Sequence, residues 1–368
     1  MQSLRLYDEL TAARTRFLRV DELCRLATEK GALPSPDPDA RLPLREKKGL
    51  EKTQGEFLSE ILSNPVAGTH LCHAMLLPLA ESLARVSEYQ ETGELDLGAV
   101  HLKRHGKASV LTARNPRYLN AEDETTLPAT EIAVDIALLD PKTEVCVLRG
   151  DVVTHTKHAG RRLFGAGINL THLYEGKIRY LWYLIRDLGF VNKIYRGLAR
   201  EHESPEVAST EKLWIAALDG FAIGGHCQVL LTMDYTIAAD DAYLTLPARK
   251  EGIIPGAANL RLPRFVGDRI ARQAILAERR IDCHSPEGRL ICDEIVAPDR
   301  MEAKLNEIVE RLTSSGVVSA AGNRRAFRAG EEPLDTFRRY MGVYAREQAY
   351  CHFSPALVSN LEKNWKRK

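Results

Sequence analysis

The sequence has almost no net charge, because 51 Lys and Arg residues face 50 Asp and Glu residues, for a formal charge of +1. Such a chain has no large positive field to attract nucleic acid or an anionic membrane surface. It lacks any run of about 18 uncharged apolar residues, the length that crosses a bilayer. Its first residues include Arg5, Asp8 and Glu9, where a signal peptide needs an unbroken apolar core. We therefore predict a cytoplasmic protein with neither a nucleic-acid nor a membrane partner.

Several motifs of common enzyme classes are also missing. There is no GxSxG segment and no Walker motif, which argues against serine hydrolases and P-loop enzymes. GAGINL does not complete the dinucleotide-binding fingerprint, because Leu170 occupies its third glycine position. The seven cysteines are odd in number and form no CxxC pair, as expected of free thiols in a reducing compartment. His70 and His73 share a helix face, but no further ligand cluster accompanies them, so we predict no metal site.

Apolar periodicity divides the 368 residues into three regions. Residues 1–96 show helical spacing, interrupted by the proline-rich segment PSPDPDARLP, for which we predict an extended loop. Residues 97–312 alternate strand-like and helix-like segments, among them EVCVLRG and KLWIAALDG, which favours an α/β core. Residues 313–368 return to an amphipathic helical pattern. We predict an α/β core flanked by helical regions at both ends.

Two glycine turns stand where a helix is predicted to begin. The first is LFGAGINL, and the second is DGFAIGGHCQ, which follows a predicted strand. Glycine lets a ligand approach the main chain closely, and unpaired N–H groups at a helix start favour negative charge. The two turns together are able to hold one developing oxyanion. The alternative is that each is only a tight turn.

The pair AGINL and IGGHCQ, together with PRYLNAED and the later KEGIIPGAANLRLPRFVG, resembles the crotonase superfamily of enoyl-CoA hydratases and isomerases. The resemblance covers residues 100–312. It implies a core of ββα spiral units, an acyl-CoA substrate, and a homotrimer or a hexamer. It further implies that the backbone N–H groups of Ile168 and Gly225 form an oxyanion hole.

Hydratases of this superfamily use two glutamates to handle a water molecule. The matching positions here are Gln228 and Ala248. A glutamine amide neither takes nor gives a proton at neutral pH, and alanine has no acid–base chemistry. We therefore expect no ordinary hydration.

Further segments resemble the cofactor-free dioxygenase branch of the superfamily, which serves dihydroxyphenylglycine and antibiotic biosynthesis. They are LNAED, SNPVAGTHL, RDLG, IGGHCQ and KEGIIPGAANLRL. The resemblance implies that Glu122, Arg186 and Gln228 bind the substrate ring. It implies an oxidation of an aryl-acetyl-CoA thioester by O2, with CoA released and with no metal or organic cofactor. The sequence departs from the branch at His226 and Cys227 and in a shortened segment around EHESPEVAST.

Each implied site residue also has a structural interpretation. Glu122 follows Asn120, a plausible N-cap, so it is equally an acid of a first helical turn. Arg186 is by itself an ordinary solvated or ion-paired side chain, and Gln228 sits in an apolar helix where its amide needs a partner or a ligand. We expect Cys227 to be a packing residue, because its neighbour His226 points elsewhere on a helix. At the level of function, the alternatives are a thioesterase, hydrolase or isomerase that uses the same oxyanion hole, and an inactive oligomeric binding module.

Overall fold

The computed structural model describes residues 2–365. A central mixed sheet is covered by helices, and helical regions precede and follow it. The helices are α1 Gln2–Leu10, α2 Val20–Glu29, α3 Asp37–Ala40, α4 Lys52–Ser63, α5 Pro65–Leu76, α6 Ala80–Thr92, α7 Leu127–Leu139, α8 Leu170–Tyr174, α9 Tyr180–Leu188, α10 Phe190–Arg196, α11 Gly225–Leu230, α12 Ala248–Glu251, α13 Ala258–Leu276, α14 Met301–Thr313, α15 Val317–Glu331, α16 Leu334–His352 and α17 Pro355–Asn364.

The strands form a seven-stranded sheet in the order β1-β2-β3-β4-β7-β9-β12, a three-stranded sheet in the order β11-β10-β8, and the β5-β6 pair. In the large sheet β1, β2 and β3 pair antiparallel, and the strands from β3 to β12 pair parallel. The strands are β1 Glu94–Asp96, β2 Val100–His105, β3 Ala108–Ala113, β4 Val145–Gly150, β5 Leu198–Ala199, β6 Ser209–Thr210, β7 Leu213–Leu218, β8 Phe221–Ile223, β9 Tyr235–Ala239, β10 Tyr243–Thr245, β11 Ile281–Asp282 and β12 Glu294–Val296.

The apolar runs that predicted strands lie in the middle of this sheet. EVCVLRG forms β4, in which every residue is buried, and KLWIAALDG forms β7. Both are central parallel strands with neighbours on each side, and such strands carry continuous apolar runs because both of their faces are covered. The short strands β1, β5, β6, β8, β11 and β12 were not predicted, because a period of two needs a longer segment to be recognised.

The proline-rich segment differs from the predicted extended loop. It contains the short helix α3, which begins after Pro36, and it is followed directly by a 3-10 turn at Leu44–Glu46. Pro38 stands in the first turn of α3. A proline is tolerated there because the first N–H groups of a helix have no partner within the helix. The prolines therefore start short helical turns as well as ending longer ones.

The two flanking helical regions pack against the core and against each other. Buried hydrophobic residues from Tyr7 to Leu361 belong to one continuous cluster that includes the central sheet. The Tyr180 hydroxyl at the start of α9 donates a hydrogen bond to the carbonyl oxygen of Ala345 in α16 (2.5 Å). Residues of the C-terminal region thus reach the helix that carries Arg186.

A buried charge cluster joins the N-terminal region to the core. The Lys193 side chain is fully buried in α10 and lies 2.7 Å from Asp135 and 2.8 Å from Glu131, both in α7. Glu131 also accepts two hydrogen bonds from Arg19 (2.7 and 2.8 Å). Because each of these charges would be costly to bury alone, the cluster holds α7 and α10 in register.

None of the described helices is long and apolar enough to cross a membrane.

Candidate active site

Three chain segments that are distant in sequence lie side by side and build the site. Residues 119–122 and 164–169 are joined by hydrogen bonds from the Glu122 N–H to the Gly167 carbonyl (2.7 Å) and from the Asn169 N–H to the Glu122 carbonyl (2.8 Å). Residues 164–169 are also joined to β8, because Gly165 exchanges backbone hydrogen bonds with Phe221 (3.1 Å) and Ile223 (3.0 Å). The two glycine turns singled out in the sequence are therefore neighbours.

The first turn packs directly onto the second. Gly167 has φ +77°, a conformation that favours glycine. A Cβ atom at this position would lie 2.6 Å from the Ile223 carbonyl oxygen and 2.9 Å from the Gly225 nitrogen. Only a residue without a side chain allows the turns to approach this closely, so Gly167 sets their distance.

The N–H groups of Ile168 and Gly225 lie on these two turns. Among residues 2–365, neither N–H has a hydrogen-bond acceptor in the protein. Ile168 is buried and Gly225 is half-buried, and a backbone donor shielded from water is seldom left without a partner, because losing its hydrogen bonds to water costs about 1–3 kcal/mol. Two such donors on adjoining turns can receive one shared oxygen atom of a ligand.

Glu122 and Gln228 both contact Arg186, the third polar residue that the resemblance implied. The Arg186 side chain is buried in α9. Its Nε lies 3.1 Å from both carboxylate oxygens of Glu122, and its Nη1 donates to Oε1 of Gln228 (3.0 Å). Its Nη2 donates to the Gly225 carbonyl (2.8 Å), and Nη1 also donates to Asp187 (2.7 Å). One guanidinium thus connects all three residues to the second glycine turn.

The contacts of this cluster determine the charge of Arg186 and the orientation of the Gln228 amide. Burial by itself would lower the pKa of Arg186, but the carboxylates of Glu122 and Asp187 outweigh it and raise that pKa above its ordinary value, so the guanidinium stays charged. Because Arg only donates hydrogen bonds, the Gln228 side chain must turn its oxygen toward Arg186. Its NH2 group is then left as a donor for a ligand.

The interpretation of Glu122 as an acid of a first helical turn is wrong. Glu122 lies in an extended bridge to Ile168, and α7 begins only at Leu127. Asn120 is no N-cap either: its side-chain NH2 donates to the carbonyls of Asp151 and Leu163 (both 2.8 Å). Asn120 therefore anchors the segment that presents Glu122, a role that becomes visible only once the segments are assembled.

Two spaces adjoin the turns. An open cleft of about 700 Å³ runs past Tyr118, Ile168 and Trp365. A small inner cavity of about 20 Å³ is lined by Arg186, Gln228 and other residues, and it has room for about one water molecule. Glu122 faces a separate cavity of about 30 Å³ that it shares with His226, Phe164 and Phe190. The five residues of the sequence hypothesis are thus assembled, but Glu122 reaches the inner cavity only through its contacts with Arg186 and Gly225.

Comparison with known proteins agrees with this geometry. A family model described as enoyl-CoA hydratase/isomerase matches residues 106–341. The chain belongs to the enoyl-CoA hydratase/isomerase family. This confirms the predicted resemblance and the crotonase-like fold.

Two curated relatives within this family illustrate its range. The chain is 46% identical over 350 residues to the (3,5-dihydroxyphenyl)acetyl-CoA 1,2-dioxygenase of Amycolatopsis orientalis, which covers 94% of this chain and 80% of the relative. It is 26% identical over 263 residues to the carnitinyl-CoA dehydratase of Citrobacter koseri, which covers 71% of this chain and 91% of the relative. The first match extends into both helical flanks.

Solved structures of family members share the fold. The enoyl-CoA hydratase of Bacillus halodurans superposes with a TM-score of 0.59 at 17% identity, over 72% of this chain and all (100%) of that one. A hydratase from Mycobacterium avium subsp. paratuberculosis gives a TM-score of 0.60 at 20% identity, over 72% of this chain and 98% of that one.

Neither position at which the resemblance implies a hydratase glutamate carries a carboxylate. Gln228 is bound to Arg186, and Ala248 lines the inner cavity without any polar group. Four further polar residues of the same cavity were not predicted from the sequence, namely Tyr183, Asp187, Glu251 and Tyr344. Asp187 lies inside the RDLG motif and Glu251 inside the KEGIIPG motif. Both motifs were recognised in the sequence, but a role for these two acids was not predicted. Tyr344 comes from α16, a helix that the amphipathic pattern of residues 313–368 predicted but did not connect with the site.

His226 and Cys227, at which the sequence departs from the branch, are both buried. Nδ1 of His226 accepts the Gly167 N–H (3.0 Å), so it carries no proton, and desolvation lowers the pKa of the ring so that the ring stays neutral. Cys227 is buried, and its burial raises the pKa of the thiol to about 12, in agreement with a packing role. His226 thereby supports the turn that presents Ile168.

The histidines considered as metal ligands serve other contacts. Nδ1 of His70 lies 2.6 Å from the Tyr7 hydroxyl, and Nε2 of His73 lies 2.8 Å from the Arg200 carbonyl. In the part of the chain that the structure describes, no three His, Cys, Asp or Glu side chains are grouped as metal ligands.

Proposed function

We propose that the protein is a cofactor-independent dioxygenase that converts an aryl-acetyl-CoA, specifically 3,5-dihydroxyphenylacetyl-CoA, and O2 into an aryl-glyoxylate and free CoA. The observation that carries the proposal is the contact of Arg186 with Glu122, Gln228 and the Gly225 carbonyl, beside two unpaired backbone donors. The 46% identity to the Amycolatopsis dioxygenase over 94% of this chain supports the same substrate.

The first step uses the two backbone donors. The N–H groups of Ile168 and Gly225 bind the thioester carbonyl oxygen. When the α-carbon loses a proton, the electron pair of that C–H bond moves toward this oxygen and forms an enolate. Each preorganised donor is worth about 3 kcal/mol of transition-state stabilisation.

The polar cluster binds the ring. Arg186 and the free NH2 group of Gln228 donate hydrogen bonds to ring oxygens, and the carboxylate of Glu122 accepts a hydrogen bond from a ring hydroxyl. The buried positive charge of Arg186 favours the ionised ring. A phenolate ring conjugated to the enolate is electron-rich enough to transfer one electron to O2.

The remaining steps balance without an added oxidant or reductant. The substrate radical and superoxide combine into a C–O bond at the α-carbon, and the resulting peroxide attacks the thioester carbonyl. The C–S bond breaks, and the CoA thiolate takes up a proton. The O–O bond then breaks as the second α-proton leaves, which yields the ketone and the carboxylate of the glyoxylate.

In this proposal the CoA chain binds in the open cleft, and the aryl ring binds at the inner cavity. The cleft of about 700 Å³ is large enough for much of a CoA chain, whereas the inner cavity of about 20 Å³ does not hold an aryl ring. Ring binding therefore has to move wall residues such as Trp182 and Tyr344. A substrate-induced change in Trp182 fluorescence follows from this proposal.

The decisive experiment is an oxygen-electrode trace with 3,5-dihydroxyphenylacetyl-CoA, with thiol release followed in parallel. Equal O2 uptake and CoA release support the dioxygenase. CoA release without O2 uptake points to a thioesterase or hydrolase that uses the same backbone donors, and neither signal points to an isomerase or an inactive binding module. Arg272→Lys, on an exposed ion pair with Asp268, is a control for Arg186→Lys.

Assembly into a homotrimer or hexamer, a cytoplasmic location and a role in supplying dihydroxyphenylglycine for antibiotic biosynthesis also belong to this proposal. Relatives with crotonase-like folds support the first of these, and light scattering of the purified protein tests it.

A further inference from the structure

A carboxylate stands at the junction of the inner cavity and the open cleft. Among the described residues, Ile168 and Glu251 line both spaces. Glu251 is the last residue of α12 and is only 5% exposed. A thioester whose oxygen is held by the Ile168 N–H has its carbonyl at this junction, and its α-carbon is one bond away.

Glu251 differs from the other acids of the site by having no partner. Glu122 and Asp187 are both bound by Arg186, at 2.9 and 2.7 Å. Within residues 2–365, no hydrogen bond or ion pair holds the carboxylate of Glu251. A buried carboxylate without a counter-charge is costly, so its retention needs a reason other than stability.

We propose that Glu251 is the base that removes the α-proton of the acyl-CoA substrate. This inference rests on the proposed function for its substrate. The proton moves from the α-carbon to a carboxylate oxygen of Glu251, and the electron pair of the C–H bond passes into the enolate at the N–H groups of Ile168 and Gly225. When the C–S bond later breaks, Glu251 returns the proton to the CoA thiolate.

The acidity of Glu251 suits this task. Burial raises the pKa of its carboxyl to about 7; Lys250 opposes the rise and Glu278 adds to it. A base with a pKa near the working pH combines a useful ionised fraction with a strong affinity for the proton. The other titratable groups that face Glu251 are Tyr183, whose pKa the charge of Glu251 helps to raise, and Arg186, Asp187 and Tyr344, which line the same cavity.

Other acid–base groups near the site are less suited. The carboxylates of Glu122 and Asp187 are engaged by Arg186. His226 uses Nδ1 to accept the Gly167 N–H, and it lines the separate cavity rather than the junction. Cys227 is a buried neutral thiol. Glu251 lies at the junction, and its carboxylate is not bound by another group and can accept a proton.

The test measures α-proton removal separately from oxidation. Wild type, Glu251→Gln and Glu251→Asp are mixed anaerobically in D2O with 3,5-dihydroxyphenylacetyl-CoA, and deuterium incorporation at the α-carbon is followed by NMR. Glu347→Gln, which removes an exposed carboxylate from α16, is the matched control. We expect exchange in Glu251→Gln to be at least about 100-fold slower than in wild type, with Kd changed less than about threefold, because loss of a general base costs about 10²–10⁴ in rate.

The pH profile gives a second readout. In wild type the exchange rate should rise through an apparent pKa near 7, and this rise should be missing in Glu251→Gln. Far-UV circular dichroism and the thermal midpoint show that each variant is folded, and a partial rate in Glu251→Asp supports the assignment in any case where the Gln variant is poorly folded.

The outcomes separate the two proposals. Exchange in Glu251→Gln within about threefold of wild type overturns the base assignment, and so does a wild type that shows no anaerobic exchange. If wild type exchanges the α-proton but takes up no O2, and the exchange is lost in Glu251→Gln, the dioxygenase proposal is refuted while the assignment of Glu251 as the base is supported. Exchange and O2 uptake that are both lost in Glu251→Gln support the two together.

Discussion

Replacing Glu122 by Gln tests whether the Arg186 cluster serves chemistry or only the fold. The carboxylate accepts from Arg186 Nε at 3.1 Å through both oxygens and lies 2.9 Å from Nη2. Gln keeps one oxygen but turns an NH2 group toward a donor. Hydrogen bonds to charged groups are worth about 1.5–3 kcal/mol against about 1 kcal/mol for neutral ones, so unfolding should become easier by about 1–2 kcal/mol. Asp187 remains as a counter-charge to Arg186, which limits the loss.

Turnover should fall as well, which a purely structural role of Glu122 does not require. If Glu122 accepts the ring proton or holds Arg186 against the ring, the substitution should lower kcat/KM at least tenfold, which is about 1.4 kcal/mol of transition-state stabilisation. The assay is O2 consumption and the thermal midpoint on the same preparations. Arg186→Lys should behave in parallel, because lysine keeps the charge but lacks the planar fork that reaches Glu122, Gln228 and Gly225 together.

Glu124→Gln is the matched control. Glu124 lies two residues away and also pairs with an arginine, Arg179 (2.9 Å), but this pair lies at the surface. Such a pair contributes about 0–1 kcal/mol, so the control should lose little stability and no activity. A Glu122→Gln protein that melts earlier yet turns over like Glu124→Gln would refute the placement of Glu122 in the active site.

Three further predictions follow from the same geometry. Crotonyl-CoA should not be hydrated, because Gln228 and Ala248 replace the hydratase glutamates; formation of 3-hydroxybutyryl-CoA at the oxygenase rate would contradict this. O2 consumption should survive exhaustive chelation, and activity that vanishes with chelator and returns with iron would disprove a cofactor-free mechanism. His226→Ala should destabilise the protein by about 1–3 kcal/mol and lower kcat more than it changes KM, because the Gly167 N–H loses its acceptor. His226→Asn should restore part of the stability and part of kcat. Equal behaviour of the two variants would argue against a role for this hydrogen bond.

Features that depend on local chain geometry could be predicted from the amino-acid sequence. The apolar runs of β4 and β7 predicted strands of an α/β core, and the glycines of the two turns predicted backbone that a ligand can approach closely. The proline-rich segment was predicted less well, because proline both ends helices and starts them, and the choice at Pro36 depends on the neighbouring residues.

Contacts between side chains from distant segments could not be predicted in the same way, because they depend on how those segments fold together. Glu122 and Arg186 are 64 residues apart and touch because two loops and α9 converge on the second glycine turn. From the sequence, Glu122 was equally an acid of a first helical turn, since an acid after Asn120 fits that pattern, and its extended backbone comes from pairing with Ile168. The partnerless state of Glu251 was likewise invisible, because burial and missing counter-charges depend on packing from distant elements and leave no periodic trace in the chain.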